Sequence, residues 1–322
     1  MPVAEWSAAL IASLHGDLDA HLQGDLADSS KRSYASQLNQ FRLFCEASGV
    51  TMVPEGRLLA AFIVGRVHTH TALATIQSGV AAVARWARGQ GVPNLRLDPL
   101  VQQATRVAVK RAVRPGVQKL PLSHEQLRRL ATSLSSWQAP QEVFRAARDR
   151  ALFLVGWAGM FRSSELVALR WSHVHFFINK GMALFVPDSK TDPGEGAWVF
   201  LASAPAPHLA VCPVRALRAV QHITGGTGAV FPASEHSQLA LHKGTVGTRL
   251  KKRMREAGLP DFDLYAAHSL RRGGATHAGR VGLPVRQIMV MGRWRSDAVR
   301  QYMYCSPDQL WQASQQLLRG GC

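Results

Sequence analysis

The sequence predicts a mainly α-helical protein with one small antiparallel β-sheet, arranged as two domains. A chain of 322 residues is longer than one small core requires, and two domains account for it comfortably. Apolar residues recur at helical spacing through most of the chain. Strand-like composition, interrupted by turn residues, is concentrated between residues 174 and 201. Together these observations indicate a helical bundle followed by an α+β domain.

Four helical stretches are predicted between residues 29 and 113. The first is expected to end at Gly49, because glycine readily adopts the conformation that closes a helix. The third lies near residues 71–88 and carries one apolar stripe. The fourth begins at Asp98-Pro99, since aspartate caps a helix and proline fits its first position. Helices this short are expected to pack together as a bundle.

A basic, proline-bearing stretch without apolar periodicity follows the bundle and is expected to be a linker. Ser123 and Gln126 then open the next helix as a capping box. The predicted strands are residues 174–178, 182–187 and 197–201. The resulting division is an acidic N-terminal segment (1–28), a helical domain (29–113), a basic linker (114–122) and a second domain (123–322).

The charge of the chain is strongly one-sided. It holds 38 Lys and Arg against 21 Asp and Glu, a formal net charge of +17 with a sequence pI near 10.8. Residues 1–30 contain five acids and no Lys or Arg, so residues 31–322 carry 38 basic against 16 acidic side chains, or +22. Such an excess on a folded chain predicts a polyanionic partner, with nucleic acid the leading candidate.

Composition also limits the compartments and cofactors to be expected. No apolar run approaches the roughly 18–20 residues that span a bilayer, and the N-terminus lacks the basic region of a secretory signal. We therefore expect no membrane partner, and a location in the nucleus of a eukaryotic host or otherwise in the cytoplasm, with the nucleoid. The four cysteines form no CxxC pair, which argues against zinc and disulfides. No metal site and no cofactor are predicted.

Three short motifs bear residues suited to phosphate chemistry. In GMFRSSELVALRW, residues 159–171, Arg162 lies between two predicted helices. His268 and Arg271 are three residues apart on a predicted helix, so both can reach one phosphate. In GRWRSDAVRQYMY, residues 292–304, tyrosines end a short amphipathic helix. Each motif alone is common, and a helix-start arginine is usually structural.

In this order the motifs resemble the tyrosine recombinase, or phage integrase, family. The stretch VPDSKTDPGEG is similar to the β-hairpin that carries the family's lysine, and HSLRRGGATHAG to its second arginine box. The resemblance spans residues 121–318 and implies a Cre-like α+β catalytic domain. The N-terminal bundle looks like the family's SAM-like core-binding domain. The GRWxSDAxxxY spacing is similar to that of recombinases from eukaryotic DIRS and crypton elements.

The resemblance implies a site-specific recombinase that cleaves and rejoins double-stranded DNA through a 3′-phosphotyrosine intermediate, without metal or ATP, as a homotetramer on synapsed DNA. Two arginines would clamp the phosphate, a histidine would assist proton transfer, a lysine would protonate the leaving 5′ oxygen and a tyrosine would attack. Carried over residue by residue, these catalytic positions are Arg162, Arg271, His268, Lys190, Trp294 and Tyr302.

Two of these assignments depart from the commonest family pattern. Trp294 stands where many members have a second histidine, and an indole can donate a hydrogen bond but cannot shuttle protons. At the nucleophile, the commonest spacing would fall on Met303, whereas the GRWxSDAxxxY spacing selects Tyr302. Tyr304 stays open as the alternative. Glu165 is expected to pair with a cation or orient the backbone rather than to act as a base.

Other basic side chains are candidates for holding DNA outside the reacting centre. They are Arg85, Arg88, Lys110, Arg111, Lys243 and Arg272. For any single arginine of the bundle, a solvated helix face is the competing interpretation. The alternative functions are a type IB topoisomerase, which relaxes one duplex, and a domesticated DNA-binding protein without catalysis. A metal nuclease would need clustered carboxylates that the sequence does not show.

Overall fold

The computed structural model describes residues 28–112, 119–136, 140–187 and 196–294. The chain separates into two compact units, Met1–Gly116 and Val117–Cys322. Residues 119–122, which the sequence places in the linker, belong to the second unit. Leu120 N–H donates to the Leu264 carbonyl (2.9 Å) and Leu122 N–H to that of Ser269 (3.0 Å), and the Leu122 side chain is fully buried. Leu120 and Leu122 pack inward at alternate positions, a spacing that differs from that of an amphipathic helix.

The described part of the first unit is entirely helical, as predicted. Its elements are α1 (Asp28–Ala47), α2 (Gly56–His68), α3 (Leu73–Gly89), a 3₁₀ turn (Leu95–Leu97) and α4 (Pro99–Arg111). Phe41 and Phe62 meet edge to face in the core with ring centroids 5.2 Å apart. The Asp98 carboxylate accepts hydrogen bonds from the backbone N–H groups of Leu100 (2.8 Å) and Val101 (3.3 Å). The predicted cap of the last helix is therefore confirmed.

The described part of the second unit combines helices with a small sheet. Its elements are α5 (His124–Ser135), α6 (Pro140–Ala158), α7 (Ser163–Ala168), β1 (Val174–Phe177), β2 (Gly181–Val186), β3 (Ala197–Ala202), α8 (Pro213–Thr224), α9 (Thr245–Glu256), α10 (Ala267–Arg280) and α11 (Val285–Gly292). The strands pair antiparallel in the order β1-β2-β3. Ser123 and Gln126 form the predicted capping box at the start of α5. The mainly α fold with a small antiparallel sheet is confirmed.

Helix α6 is the centre of the second unit. Five consecutive side chains, from Ala151 to Val155, are buried, so this part of the helix is enclosed on every side. Helices α5, α8 and α10 pack around it. The inner face of the sheet, with Leu184, Val199 and Leu201, joins the same core. An enclosed helix is a rigid support for whatever follows it, and α6 leads directly into the turn that carries Arg162.

A buried ion network ties α6 to α9. Asp149 is fully buried and accepts hydrogen bonds from Arg148 and, at 2.9 Å, from Arg253. Arg253 also pairs with Glu142 and Glu256, each at 2.9 Å. Burial alone would lower the pKa of Arg253, but its bonds to the three carboxylates outweigh burial and raise that pKa. Burial lowers the pKa of Arg148, but an arginine guanidinium does not lose its proton in a protein, so both arginines are buried charges that the carboxylates balance.

Replacing Asp149 with alanine is expected to destabilise the protein strongly. The substitution leaves Arg148 and Arg253 as buried charges without this counter-ion, and breaking a buried pair costs about 3–5 kcal/mol. Urea unfolding followed by circular dichroism measures the loss. Glu125→Ala is the matched control, because Glu125 pairs with Arg128 at the exposed surface. A loss no larger in Asp149→Ala than in Glu125→Ala would show that the network does not support the core.

Candidate active site

Arg162 is held at the junction between α6 and α7. After α6 ends at Ala158, the turn passes through Met160, whose φ is +49°, and the buried Phe161. Arg162 then serves as the N-cap of α7 in an extended conformation. Its backbone N–H donates to Glu165 Oε2 at 3.0 Å, and its guanidinium pairs with the same carboxylate. The backbone of Arg162 is thus held in place, and 23% of its side chain is exposed, so a ligand can reach it.

Glu165 pairs with a second arginine, Arg293, which follows α11. Arg293 Nη2 donates to Glu165 Oε2 at 2.8 Å. Burial alone would raise the pKa of Glu165, but the charge of Arg293 and hydrogen bonds from both arginines hold it below its usual value. Glu165 is therefore a buried carboxylate at neutral pH. The expected pairing with a cation is confirmed, and Glu165 also accepts a hydrogen bond from the backbone of Arg162; that it does not act as a base stays a prediction.

Sequence reasoning did not single out Arg293. It makes the buried ion pair with Glu165, and its Nη1 donates to the carbonyls of Gly159 (3.1 Å) and Met291 (2.9 Å). Its Cζ also lies 4.7 Å from the centroid of the Phe161 ring. Its partners Glu165 and Gly159 are 128 and 134 residues away, so the sequence offers only one signal, an arginine within the GRW triplet. Arg293 fastens the end of α11 to the turn that bears Arg162.

Arg271 lies on α10, one turn after His268, and is only 1% exposed. Its guanidinium donates to the Gly292 carbonyl at 2.7 Å and to the Met160 carbonyl. The helix lies close to its neighbours because Gly273 and Gly274 have no side chains. A Cβ on these residues would lie 2.1 Å from the Leu122 carbonyl oxygen and 2.2 Å from that of Trp157, respectively. Core packing therefore sets where the guanidinium of Arg271 points.

Trp294 stacks on Arg271. The indole is 8% exposed, and Arg271 Cζ lies 4.0 Å from the centroid of its ring. Such cation–π contacts favour a flat, fixed guanidinium. The indole lies directly over Gly292, where a Cβ would come within 1.8 Å of the ring. Trp294 thus supports the arginine as well as being a possible hydrogen-bond donor.

His268 is exposed to solvent at the edge of this group. The protein atoms crowding its ring, followed by the positive charges of Arg271, Arg272 and Arg162, lower the pKa of His268. The imidazole is therefore neutral at pH 7. A neutral imidazole has one donor and one acceptor nitrogen, so it can both hold a phosphate oxygen and accept a proton.

The structure thus brings four of the six predicted catalytic residues together: Arg162, His268, Arg271 and Trp294. They surround the 159–162 turn, the start of α10 and the end of α11. Lys190, Tyr302 and the alternative nucleophile Tyr304 lie outside the described residues. The group presents guanidinium and imidazole N–H groups, which is the donor set that stabilises an oxyanion.

The six residues predicted to bind DNA outside the active site differ in their exposure to solvent. Arg88, Lys110, Arg111 and Lys243 are exposed, and Arg85 is partly buried. Arg272 requires a correction. It is 4% exposed and its guanidinium donates to the Lys119 carbonyl, so it fastens residues 119–122 to α10 instead of facing a ligand. Arg271 and Arg272 are both buried although adjacent side chains on a helix point about 100° apart, because α10 is enclosed on both of these sides, and the local sequence could not show this.

Comparison with known proteins identifies the family. The sequence profile of the phage integrase family matches residues 121–308, more than half of the chain. The chain belongs to the phage integrase family. It is also similar to an integrase/recombinase XerD homologue from Selenomonas ruminantium, with 29% identity over 285 residues that cover 86% of this chain and 81% of the relative. Family membership makes it a tyrosine recombinase, an enzyme of DNA strand cleavage and transfer.

Solved structures of integrases and recombinases share the fold. The Tn1549 transposon integrase aligns with a TM-score of 0.64 at 11% identity, covering 96% of this chain and 99% of that one. The XerH site-specific recombinase aligns at 0.62 with 16% identity over 88% and 78% of the two chains. Lambda integrase aligns at 0.59 with 17% identity over 90% and 95%. At these identities the likeness concerns the fold.

None of the helices in the described ranges is both long and apolar enough to cross a membrane. Within residues 28–112, 119–136, 140–187 and 196–294, no three His, Cys, Asp or Glu side chains are grouped as metal ligands would be.

Adding a methyl group at position 292 is expected to impair catalysis without unfolding the protein. In Gly292→Ala the new Cβ pushes the Trp294 indole off Arg271. Misplacing a catalytic group by about 1 Å can slow a reaction by on the order of 100-fold. The rate of covalent protein–DNA adduct formation, with thermal melting as a folding check, measures the effect. Gly89→Ala is the control, because nothing lies within 4 Å of its added Cβ; similar rates for both variants would exclude a role for the stack.

Proposed function

We propose that the protein is a site-specific recombinase or integrase that cleaves and rejoins double-stranded DNA through a 3′-phosphotyrosine intermediate, without metal or ATP. The observation that carries this proposal is the assembly of Arg162, His268, Arg271 and Trp294 around one turn, with Glu165 as their buried counter-charge. A phosphodiester gains negative charge when it is attacked, and guanidinium and imidazole N–H donors are the groups that stabilise such a charge.

Each residue has a distinct part in the proposed reaction. Arg162 and Arg271 bind the two non-bridging oxygens, and neither guanidinium loses its charge at neutral pH. The free protein covers Arg271 almost completely, so DNA has to displace neighbouring atoms to reach it. Neutral His268 assists proton transfer from the attacking hydroxyl. Tyr302 forms the covalent bond to the 3′ phosphate, which conserves the bond energy, and Lys190 protonates the leaving 5′ oxygen.

The similar solved structures support double-stranded DNA as the proposed substrate and a tetramer as the proposed assembly. The similar solved structures include XerH in a post-cleavage complex with its palindromic difH substrate and the Tn1549 integrase with transposon right end DNA. They also include a lambda integrase tetramer bound to a Holliday junction. The excess of +22 over residues 31–322 suits the same polyanion.

The proposal also assigns the parts of the chain. Residues 29–113 are the core-binding domain and residues 119–322 the catalytic domain, with the linker between them. The exposed candidates for holding the DNA backbone are Arg88, Lys110 and Arg111 in the first of these and Lys243 in the last, with Arg85 partly exposed. The protein would act where the DNA lies, in the nucleus of a eukaryotic host or in the cytoplasm with the nucleoid otherwise.

Trapping the covalent intermediate tests both the reaction and the nucleophile. Wild-type protein incubated with fragmented host DNA is expected to yield a detergent-resistant protein–DNA adduct, and sequencing the trapped fragments locates the target. Tyr302→Phe should bind the same DNA and form no adduct, because it has lost the attacking hydroxyl. Tyr304→Phe is the matched control and should still form it, and EDTA should change neither result.

The opposite behaviour of the two tyrosine variants would move the nucleophile to Tyr304. No adduct from wild-type protein on any fragment would contradict the proposed catalysis and favour a non-catalytic DNA-binding protein. Adducts that lead only to relaxation of a supercoiled circle, with no strand exchange between duplexes, would indicate a type IB topoisomerase.

The role of Lys190 can be separated from simple phosphate binding. If Lys190 delivers the proton to the leaving oxygen, Lys190→Ala should slow cleavage by about 10²–10⁴-fold and leave DNA affinity unchanged. A substrate with sulfur at the leaving 5′ position departs without protonation, so it should restore the variant to near the wild-type rate. Arg162→Ala should not be restored. Equal defects of Lys190→Ala on both substrates would assign the lysine to phosphate binding.

A further inference from the structure

The outer face of the sheet in the second unit is aromatic and open to solvent. Along each strand the side chains alternate, and Leu184, Val199 and Leu201 point into the core. The opposite side presents five rings, called here the aromatic face: His175, Phe177, Phe185, Trp198 and Phe200. Phe200 is 71% exposed, and Phe177 and Trp198 are each 49% exposed. Large aromatic side chains exposed side by side mark a binding surface.

Three of the rings, one from each strand, are in contact across the sheet. Phe185 on β2 lies opposite Trp198 on β3, with centroids 5.1 Å apart. Trp198 also contacts His175 of β1, with centroids 5.4 Å apart. Between β1 and β3 stands Ala183, which pairs with His175 on one side and Phe200 on the other and leaves room for their rings. These ring contacts are therefore preformed in the free protein.

The charge around the aromatic face suits an anionic ligand. The three strands themselves contain no Asp or Glu, and the acids of the stretch that includes them, Asp188, Asp192 and Glu195, lie with Lys190 in the connection between β2 and β3. The same stretch holds the exposed Arg170 and Lys180, next to β1 and β2. A polyanion can approach this face without repulsion from the strands that build it. In the sequence, β2 and β3 also stand directly before and after the segment that carries Lys190.

We propose that the aromatic face binds unpaired nucleotides of a DNA strand by stacking their bases on Trp198 and Phe200. Aromatic rings accept any base, while the flanking cations meet the phosphates, and this combination is typical of single-strand binding surfaces. The inference goes beyond the proposed recombinase function, which concerns duplex DNA.

Three fluorescent probes of equal length test the proposal on the full-length protein: a thymidine strand of about 20 nucleotides, an abasic strand and a duplex. We expect the thymidine strand to bind more tightly than the abasic strand, which has the same phosphates but no bases. Phe200→Ala should weaken thymidine binding by about tenfold or more, the loss of stacking on one base, and leave duplex binding unchanged. Trp198→Ala should behave likewise, and Trp198→Phe should retain most of the affinity.

Leu239→Ala is the matched control, because Leu239 is an exposed apolar residue of the same unit, at 76% exposure. Equal affinity for the thymidine and abasic strands would overturn the proposal, as would a Phe200→Ala effect no larger than that of the control. Loss of self-association in Phe200→Ala, measured by sedimentation, with unchanged strand binding would assign the face to protein contacts instead.

A second measurement does not depend on the variants. Ultraviolet crosslinking of wild-type protein to a strand containing 5-iodouracil is expected to label the peptide that holds Trp198 and Phe200, and labelling confined to other peptides would overturn the proposal. Covalent adducts on duplex DNA report the proposed function separately. Strand binding without adducts would reject the recombinase function alone, and adducts without strand binding would reject only the role of the aromatic face.

Discussion

The pairing of one buried carboxylate with two arginines determines the geometry of the candidate active site. Glu165 joins the N-cap of α7, through Arg162, to the residue after α11, Arg293. Guanidinium groups that lie close together repel each other unless a negative charge stands between them. Because Glu165 is buried, water cannot take its place, and losing such a partner costs about 3–5 kcal/mol. The carboxylate allows a strongly cationic site to form before any phosphate is present.

Packing of α10 is the second support. His268 and Arg271 of α10 lie at the site, and Gly273 and Gly274 allow the same helix to rest closely on α6 and on residues 119–122. Arg272 adds a bond from α10 to the Lys119 carbonyl. The orientation of the two functional side chains is therefore set by the core of the second unit. The site is built on helices and one tight turn, and such elements hold side chains more precisely than long loops do.

Features that depend on neighbouring residues could be predicted from the sequence. The caps at Asp98 and Ser123, the strands and the pairing of His268 with Arg271 on one helix all rest on separations of a few residues. Arg293 could not be predicted, because its carboxylate partner is 128 residues away in the chain. The inward turn of Arg272 and the inclusion of residues 119–122 in the second unit depend on the same kind of long-range packing.

The backbone at Arg293 makes this position hard to replace in evolution. Its φ of +57° is left-handed, a conformation that costs most residues about 1–2 kcal/mol and that glycine adopts freely. Glycine or asparagine would adopt this backbone conformation at lower cost, but neither could pair with the buried carboxylate of Glu165. Lysine would keep the charge and lose the planar fork that reaches several oxygens at once. The backbone therefore favours glycine at this position while the buried carboxylate of Glu165 favours arginine, and no single residue satisfies both.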